Sequence, residues 1–237
     1  MGRAFEVRKY AKEKTAAAKT KVYSKYGKEI YVAAKNGQPD PELNQELKRV
    51  IERAKKDQVP NDIINRAIEK AAGGSEENYT QVRYEGFGPG NSMVIVECLT
   101  DNVNRTYSEV RNCFTKTNSK LGVTGSVLHM FSHQAVFVVK DLTEDDILLI
   151  AVEDDLDILN LEIEGDEATI YTDVNNYAKV KSSLQKFKED IEFVIDEITW
   201  IPFTYLKLND EDQEVFDKLT AMLEDLDDVQ SISHNLE

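Results

Sequence analysis

The glycine pair Gly73-Gly74 separates two kinds of apolar pattern, and this change of period limits the folds open to the chain. Before the pair, apolar residues recur every three or four positions, which is typical of amphipathic helices. After it, short apolar runs alternate with turn residues and helical stretches, which is typical of strands joined to helices. We therefore expect an α+β fold in which an N-terminal helical domain is followed by two α/β domains.

Three helices are predicted in the helical domain, residues 1–76. The second is expected to begin after Asp40, an N-cap, with Pro41 at its first helical position. The third follows Pro60 and ends at Gly73-Gly74, because glycine readily adopts the backbone conformation that closes a helix. The inward residues predicted for the second helix are Leu43, Leu47, Val50, Ile51 and Ala54.

The segment after these helices contains the elements of a sheet. Strands are predicted over Val82–Glu85 and Met93–Leu99, joined by a glycine-rich hairpin loop. The loop is not expected to bind phosphate, because Pro89 removes a backbone donor and a strand rather than a helix follows. A helix over Asn104–Lys116 and a strand over Val127–Phe131 are expected next.

From Val136 to Thr199 the predicted order of elements is β-α-β-β-α-β, which is the ferredoxin-like order. A strand over Phe203–Leu208, a helix over Asp210–Leu223 and a strand over Val229–Ser233 follow. These three elements lack partners for a domain of their own, so we expect them to complete the sheet that begins at Val82. The predicted domains are residues 1–76, basic and helical; residues 77–132 plus 203–237, a discontinuous α/β domain; and residues 133–202, a ferredoxin-like acidic domain inserted in it.

Charge is divided unevenly along the chain, whose net charge at pH 7 is −15. Through Gly74 there are 17 Lys and Arg against 10 Asp and Glu, a net charge of +7, and the remainder has 12 against 34, a net charge of −22. The acidic part would repel a polyanion, so only the first third could hold nucleic acid. Charge alone is equally compatible with solvated basic helices on an acidic protein.

Basic residues on helix faces away from the apolar stripes are the candidate nucleic-acid contacts. Five lysines from Lys14 to Lys35 are spaced 7, 4, 3 and 7 apart, which places them in one stripe if the helix is continuous. The stripe is expected to be exposed, so that Lys→Glu changes there would cost little stability. Lysine suits phosphates, whereas Arg49 and Arg53 are the local candidates for base contacts. The full candidate set is Arg3, Arg8, Lys9, Lys12, Lys14, Lys21, Lys25, Lys28, Lys35, Arg49, Arg53 and Lys56.

A short polar segment from Thr100 to Thr106 marks a predicted strand-to-helix junction. Capping of the helix explains its Asp and Asn residues. It leaves two arginines, roughly two turns apart, without an assigned role. The candidate contact residues of this region are Asp101, Asn102, Asn104, Arg105 and Arg111.

Catalytic and metal-binding patterns are weak throughout the sequence. It contains no Walker A loop, nucleophile elbow or Ser/His/Asp ordering, and His129 and His133 lack the glutamate of a zincin motif. We therefore expect no catalytic activity, metal, cofactor or small-molecule substrate. Cys98 and Cys113 form no CxxC pair and fit reduced thiols of a cytoplasmic protein. No apolar run approaches the roughly 18 residues of a membrane span, so no membrane partner is expected.

Several motifs recur in one order along the chain. They are Asp40-Pro41 with Asn44, Val59-Pro60 with Arg66-Ala67-Ile68, Tyr84-Glu85-Gly86-Phe87-Gly88-Pro89-Gly90, Thr100-Asp101-Asn102, Asn104-Arg105-Thr106, Gly125-Ser126-Val127 and Met130-Phe131. Together they closely resemble the YebC family, densely over the first 131 residues and by domain order over the rest. The resemblance implies three domains, one helical and two α/β, with the third inserted in the second, and no catalytic activity.

The resemblance also implies a cytoplasmic regulatory protein that binds nucleic acid. The family is described as DNA-binding transcriptional regulators, including quorum-sensing repressors, with the contact placed largely on the basic helical domain. The alternative is a ribosome-associated translation factor that binds RNA and relieves stalling, similar to a mitochondrial relative that activates translation of a cytochrome oxidase subunit. Gly2-Arg3-Ala4-Phe5-Glu6 and Asn118-Ser119 depart from the usual family sequences, which indicates a divergent branch. We expect a monomer.

Overall fold

The computed structural model describes residues 16–74 and 77–237. Over these ranges the fold is α+β, with seven α-helices and two four-stranded sheets. The chain divides into two compact units. Of the described residues, the larger unit comprises 16–127 and Leu208–Ile232, and the smaller unit comprises Leu128–Lys207 and Ser233–Glu237.

Three helices form the helical segment of the larger unit, which we define as residues 16–74. They are α1 (Ala16–Asn36), α2 (Gln45–Lys56) and α3 (Asn61–Ala72). Their apolar stripes meet in one core that includes Ile30, Leu47 and Ala54, all fully buried. The helical spacing of the apolar residues in this part of the sequence therefore corresponds to helices that bury one face each.

The predicted start of α2 at Pro41 is wrong. Asn44 is the N-cap, and its side-chain oxygen accepts a hydrogen bond of 3.0 Å from the Leu47 amide. Asp40 instead stabilises the preceding turn by accepting from the Glu42 amide at 2.9 Å. Leu43, predicted to point inward, is 71% exposed as a result. Asn44 takes over the cap because its amide also donates to the Ala33 carbonyl near the end of α1, at 2.8 Å.

The sheet of the larger unit has the strand order β3-β1-β2-β8. The helices of this unit that follow the helical segment are α4 (Val103–Lys116) and α7 (Asp210–Glu224). The strands are β1 (Thr80–Phe87), β2 (Met93–Thr100), β3 (Lys120–Leu121) and β8 (Val229–His234). The last two residues of β8, Ser233 and His234, are assigned to the smaller unit. Val96, Phe114 and Leu219 are fully buried here, so the strands and both helices contribute to the core.

A strand was expected over Val127–Phe131, and this prediction is wrong. A short 3-10 helix occupies Leu128–Met130, and the next strand begins at Phe131. The backbone just before it is held by the buried Glu85 carboxylate, which accepts from the Gly125 amide at 2.6 Å and from the Val127 amide at 2.8 Å. Because a side chain takes these two backbone donors, they are not available to a strand ladder.

The second sheet belongs to the smaller unit and has the strand order β5-β6-β4-β7. The elements are β4 (Phe131–Lys140), α5 (Glu144–Glu153), β5 (Ile158–Glu164), β6 (Glu167–Asp173), α6 (Tyr177–Phe187) and β7 (Phe193–Pro202). The neighbouring strands are antiparallel, and the order β-α-β-β-α-β is the ferredoxin-like order. Both helices pack on the sheet through a core that includes Phe137, Ile170 and Leu184.

No strand forms over Phe203–Leu208, contrary to the prediction. Leu206 makes only an isolated bridge to Leu236, in which its amide donates to the Asn235 carbonyl at 2.7 Å. The following helix α7 and strand β8 are present, and β8 lies beside β2. The segment cannot extend the first sheet because most of it, through Lys207, packs with the smaller unit.

Candidate nucleic-acid interface

Three lysines of α1 face the end of α7. We call Lys21, Lys25 and Lys28 the lysine row, and residues 224–228 the acidic segment. Lys21 Nζ pairs with the Asp225 carboxylate and donates to the Asp225 carbonyl at 3.0 Å. Lys25 Nζ donates to the Glu224 carbonyl at 3.2 Å. Lys28 Nζ donates to the carbonyl of residue 227 at 3.1 Å, so every lysine of the row reaches the acidic segment.

The end of a helix explains why lysines gather at this place. The last carbonyls of α7 have no acceptor role inside the helix, and the C-terminal end of the helix dipole is negative. No basic residue of α7 lies in its own last turn. The lysine row of α1 supplies the missing donors and positive charge. Burial is the main cause that lowers the pKa of Lys25, against the opposing effect of Glu224.

Asp228 is the most connected group of the acidic segment, and it is only 3% exposed. One carboxylate oxygen pairs with Lys28 Nζ at 2.8 Å, and the other accepts from the Arg105 guanidinium at 2.7 Å. The hydroxyls of Thr106 and Thr100 donate to that second oxygen at 2.8 and 3.0 Å. Burial alone would raise the pKa of Asp228, but the hydrogen bonds from Lys28, Arg105 and Thr106 outweigh it and hold the pKa well below its usual range.

The polar segment at the start of α4 is built around the same carboxylate. Asn102 caps α4 by accepting from the Arg105 amide at 3.1 Å. Arg105 bridges Asp228 and Asp101, each at 2.7 Å, and these hydrogen bonds raise the pKa of the guanidinium. The structure thus gives Arg105 a role that capping did not explain. Asn104 and Arg111 are exposed, and the contacts predicted for this region stay a prediction.

The Lys28 side chain is more deeply buried than that of Lys21. Its side chain is 17% exposed and faces a carboxylate that is 3% exposed. The side chains of Lys21 and Asp225 are 37% and 76% exposed. The expectation that these lysines stand free in solvent is therefore wrong. The physical reason is the acidic segment, which follows them by about 200 residues and is not visible in any local pattern.

The other predicted basic residues lie in three settings. Lys35 is exposed and donates to the Glu77 carbonyl at 2.5 Å and to the Asn78 side chain at 3.0 Å. Arg53 pairs with Glu29 at 3.7 Å and lies over the Tyr26 ring. Arg49 is half-buried and Lys56 is exposed, both on α2. Five predicted residues lie outside the described part of the chain: Arg3, Arg8, Lys9, Lys12 and Lys14.

Sequence reasoning missed three positions of this surface: Asp228, Arg66, and the exposed Lys55 in the last turn of α2. Asp228 was not singled out, because its partners Thr100, Thr106 and Lys28 are more than 100 residues away and nothing local marks it. Arg66 of α3 is exposed and basic. Arg66 was noted only as part of the family motif Arg66-Ala67-Ile68. Its position on the helix face opposite Ile64 could have identified it as an exposed basic residue.

The described part of the chain contains three histidines and two cysteines. Its side chains form no group of three or more His, Cys, Asp or Glu that could hold a metal ion. His133 stacks on Trp200 with 4.3 Å between the ring centroids. Cys98 and Cys113 are free and buried, and burial raises the pKa of Cys98 to about 12. None of the described helices combines the length and apolar character needed to cross a membrane.

Comparison with known proteins covers the chain almost end to end. It matches the family model of the TACO1/YebC protein N-terminal domain over residues 3–74 and that of the TACO1/YebC second and third domain over residues 79–236. It is 56% identical over 235 residues to a "probable transcriptional regulatory protein" of Alteromonas mediterranea, covering 99% of this chain and 98% of the relative. A protein of the same name from Acholeplasma laidlawii is 54% identical over 237 residues, with 100% and 98% coverage.

A solved structure agrees with these matches. The crystal structure of a conserved hypothetical protein from Aquifex aeolicus superposes with a TM-score of 0.80 at 37% identity, covering 94% of this chain and 92% of that one. Both family models and the full-length relatives point to the same assignment. The chain therefore belongs to the TACO1/YebC family.

Proposed function

We propose that this chain is a non-enzymatic, cytoplasmic transcriptional regulator that binds DNA through its helical segment and the basic residues before it. The observation that carries the proposal is the division of charge, +7 through Gly74 and −22 beyond it. A duplex attracts basic surfaces and is repelled by acidic ones, so the two parts cannot contribute equally. The name shared by the relatives from Alteromonas mediterranea and Acholeplasma laidlawii supports a regulatory role.

The cations best placed for DNA are the exposed ones of α2 and α3. Lys55 and Lys56 end α2, and Arg66 lies on α3; all three are exposed. Phosphate contact requires a side chain that can leave water for a phosphate oxygen without breaking the core. The lysine row is less accessible because it faces the acidic segment. We therefore place the first contact with DNA on α2 and α3, with Arg49 and Arg53 on the same helix as Lys56.

Binding to free DNA is proposed to show little sequence preference. Base recognition needs Arg, Asn or Gln side chains held in a groove by a rigid element. Exposed lysines supply most of the accessible charge here, and lysine contacts phosphates as a point charge. Arg53 pairs with Glu29 and lies over the Tyr26 ring, and Arg49 is half-buried on the same helix; these two arginines are the ones proposed to read bases.

A salt titration with a matched control tests the proposal. The double variant Lys55→Ala/Lys56→Ala is expected to bind a 20-base-pair duplex about tenfold more weakly at low salt. Its slope of log affinity against log salt should be shallower by about 1.8, because each phosphate contact contributes about 0.9. The control Lys207→Ala/Lys218→Ala removes the same charge from exposed positions outside the helical segment. It should change the affinity less than about twofold.

Equal losses in both double variants would contradict the placement of the contact on α2. The same titration with a ribosomal RNA fragment addresses the alternative, a ribosome-associated translation factor. Clearly tighter binding to that RNA than to the duplex at equal salt would favour the alternative. Clearly tighter binding to the duplex would favour DNA.

We propose that the chain has three domains. They are residues 1–76, residues 77–132 plus 203–237, and the ferredoxin-like insertion 133–202. The two family models, matched to residues 3–74 and 79–236, support a boundary near Gly74. The element order of β4 to β7 supports the ferredoxin-like part. We propose that the protein acts as a monomer, with the acidic insertion turned away from DNA by its charge.

A further inference from the structure

We propose that the acidic segment is a built-in competitor for DNA, whose Glu224 and Asp225 occupy Lys21 and Lys25 until phosphates displace them. The inference rests on the proposed function, because it concerns which cations of the helical segment the DNA backbone can reach. It adds a second phosphate site, closed in this structure by the chain itself, and a regulatory contact that sets how strongly the protein binds.

The occupants of the lysine row have the chemistry of the proposed ligand. Lys21 is paired with a carboxylate, and Lys25 and Lys28 donate to carbonyl oxygens. Anionic and partially negative oxygens at hydrogen-bond distance from an ammonium group are what a phosphodiester backbone would also present. The row spans eight residues of α1, or about 10 Å, which makes it a linear set of cations. A phosphate backbone and the acidic segment therefore cannot occupy it together.

The two halves of the contact differ in how easily they can open. The Lys28–Asp228 pair is buried and has three further donors from Thr100, Arg105 and Thr106, so its opening would strand a buried carboxylate. The Lys21–Asp225 pair is exposed, and exposed pairs contribute little and weaken with salt. We infer that Lys28 stays in place while Lys21 and Lys25 are released. The Lys28–Asp228 pair then keeps the acidic segment nearby for re-closing.

Removal of the competing charge should strengthen DNA binding. The variant Glu224→Gln/Asp225→Asn keeps the backbone carbonyls and changes two exposed side chains. We expect it to bind a 20-base-pair duplex about tenfold more tightly than the natural chain at low salt. Its salt slope should be steeper by up to about 1.8, because only the neutral carbonyls of residues 224 and 225 would then compete with phosphates for Lys21 and Lys25. The measurement is fluorescence anisotropy over a series of salt concentrations.

The matched control lies on the same helix. Glu214→Gln/Asp217→Asn also removes two exposed negative charges from α7, away from the lysine row. We expect it to tighten binding less than about twofold and to leave the salt slope unchanged. Equal gains in both variants would overturn the inference, because general repulsion would then explain them. If neither the natural chain nor any variant binds DNA, the proposed function fails and the inference with it.

A double-mutant cycle tests whether Glu224 and Asp225 keep Lys21 and Lys25 from binding DNA. Lys21→Ala/Lys25→Ala is expected to weaken binding less than about twofold in the natural chain, where the two lysines are already occupied. In the Glu224→Gln/Asp225→Asn background the same change should cost about tenfold, because phosphates there displace the remaining carbonyl contacts of the two lysines. Losses of equal size in both backgrounds would contradict the competition. Far-ultraviolet circular dichroism of all four proteins checks that the helices remain folded.

Discussion

The variant Asp228→Asn is expected to lower the free energy of unfolding at pH 7 by about 3 kcal/mol, at the lower end of the range for breaking a buried ion pair. The carboxylate is 3% exposed and accepts hydrogen bonds from Lys28, Arg105, Thr100 and Thr106. An amide of the same shape removes the counter-charge of Lys28 and leaves Arg105 paired with Asp101 alone. The loss is not larger because the Arg105 side chain is 44% exposed and can regain water.

Urea unfolding followed by far-ultraviolet circular dichroism measures this loss. The neighbouring Asp227→Asn is the control, because Asp227 is exposed and contributes its backbone carbonyl rather than a buried carboxylate. Exposed substitutions of this kind change stability by at most about 0.5 kcal/mol. Equal and small effects of both variants would contradict the view that Asp228 anchors the acidic segment.

The pH dependence gives the same prediction an independent readout. The pKa of Asp228 is lower in the folded chain than in the unfolded one. Its stabilising contribution is therefore present above the unfolded pKa, about 3.9, and is lost as the pH falls toward the folded pKa. The difference in stability between the natural chain and Asp228→Asn should be largest near neutral pH and should shrink below about pH 4. A difference that stays constant down to low pH would contradict this assignment.

Lys28→Met is the second large effect that we expect, with a loss of about 2 kcal/mol in the free energy of unfolding. Methionine keeps the apolar stem, so the change mainly removes the ammonium partner of a buried carboxylate. Asp228 retains Arg105, which limits the loss. Lys21→Met, in the same helix, removes a pair whose side chains are 37% and 76% exposed. It should cost less than about 0.5 kcal/mol.

Urea unfolding of Lys21→Met and Lys28→Met shows whether the two lysines contribute unequally or equally to the free energy of unfolding. Equal losses at Lys21 and Lys28 would show that the lysine row acts as one unit and would contradict the two-part opening. The same comparison corrects the expectation, drawn from helical spacing, that all three lysines lie free on the surface.

The sequence was most informative where structure depends on neighbouring residues. The helix Glu144–Glu153 lies within the β-α-β-β-α-β order predicted from Val136 to Thr199, and its start is fixed locally by the capping box of Thr143 and Asp146. The element order from β4 to β7 follows in the same way from apolar periods and turns. The start of α2 was predicted at Pro41 because Asp40-Pro41 is a local capping pattern, whereas Asn44 forms the cap in the structure. The choice between them depends on the contact of Asn44 with Ala33.

The candidate site was the part that sequence reasoning could not assemble. Lys28 and Asp228 are 200 positions apart, and Arg105 and Asp228 are 123 apart. A stripe of lysines has the same spacing whether it faces solvent or an acidic partner. Only the fold shows that Lys21, Lys25 and Lys28 face the acidic segment. The segment Thr100–Thr106 was recognised as unusual from its sequence. The Asp228 carboxylate that its side chains contact belongs to a residue more than 100 positions further along the chain.

Lysine footprinting in the presence of duplex DNA maps the DNA-binding surface on the natural chain, without any substitution. Each lysine is labelled with an amine-reactive reagent, with and without saturating DNA, and the extent of labelling is measured by mass spectrometry. We expect DNA to protect Lys55 and Lys56 and to leave the labelling of Lys207 and Lys218 unchanged. Protection confined to lysines beyond Gly74, with those of the helical segment labelled as in free protein, would contradict this expectation.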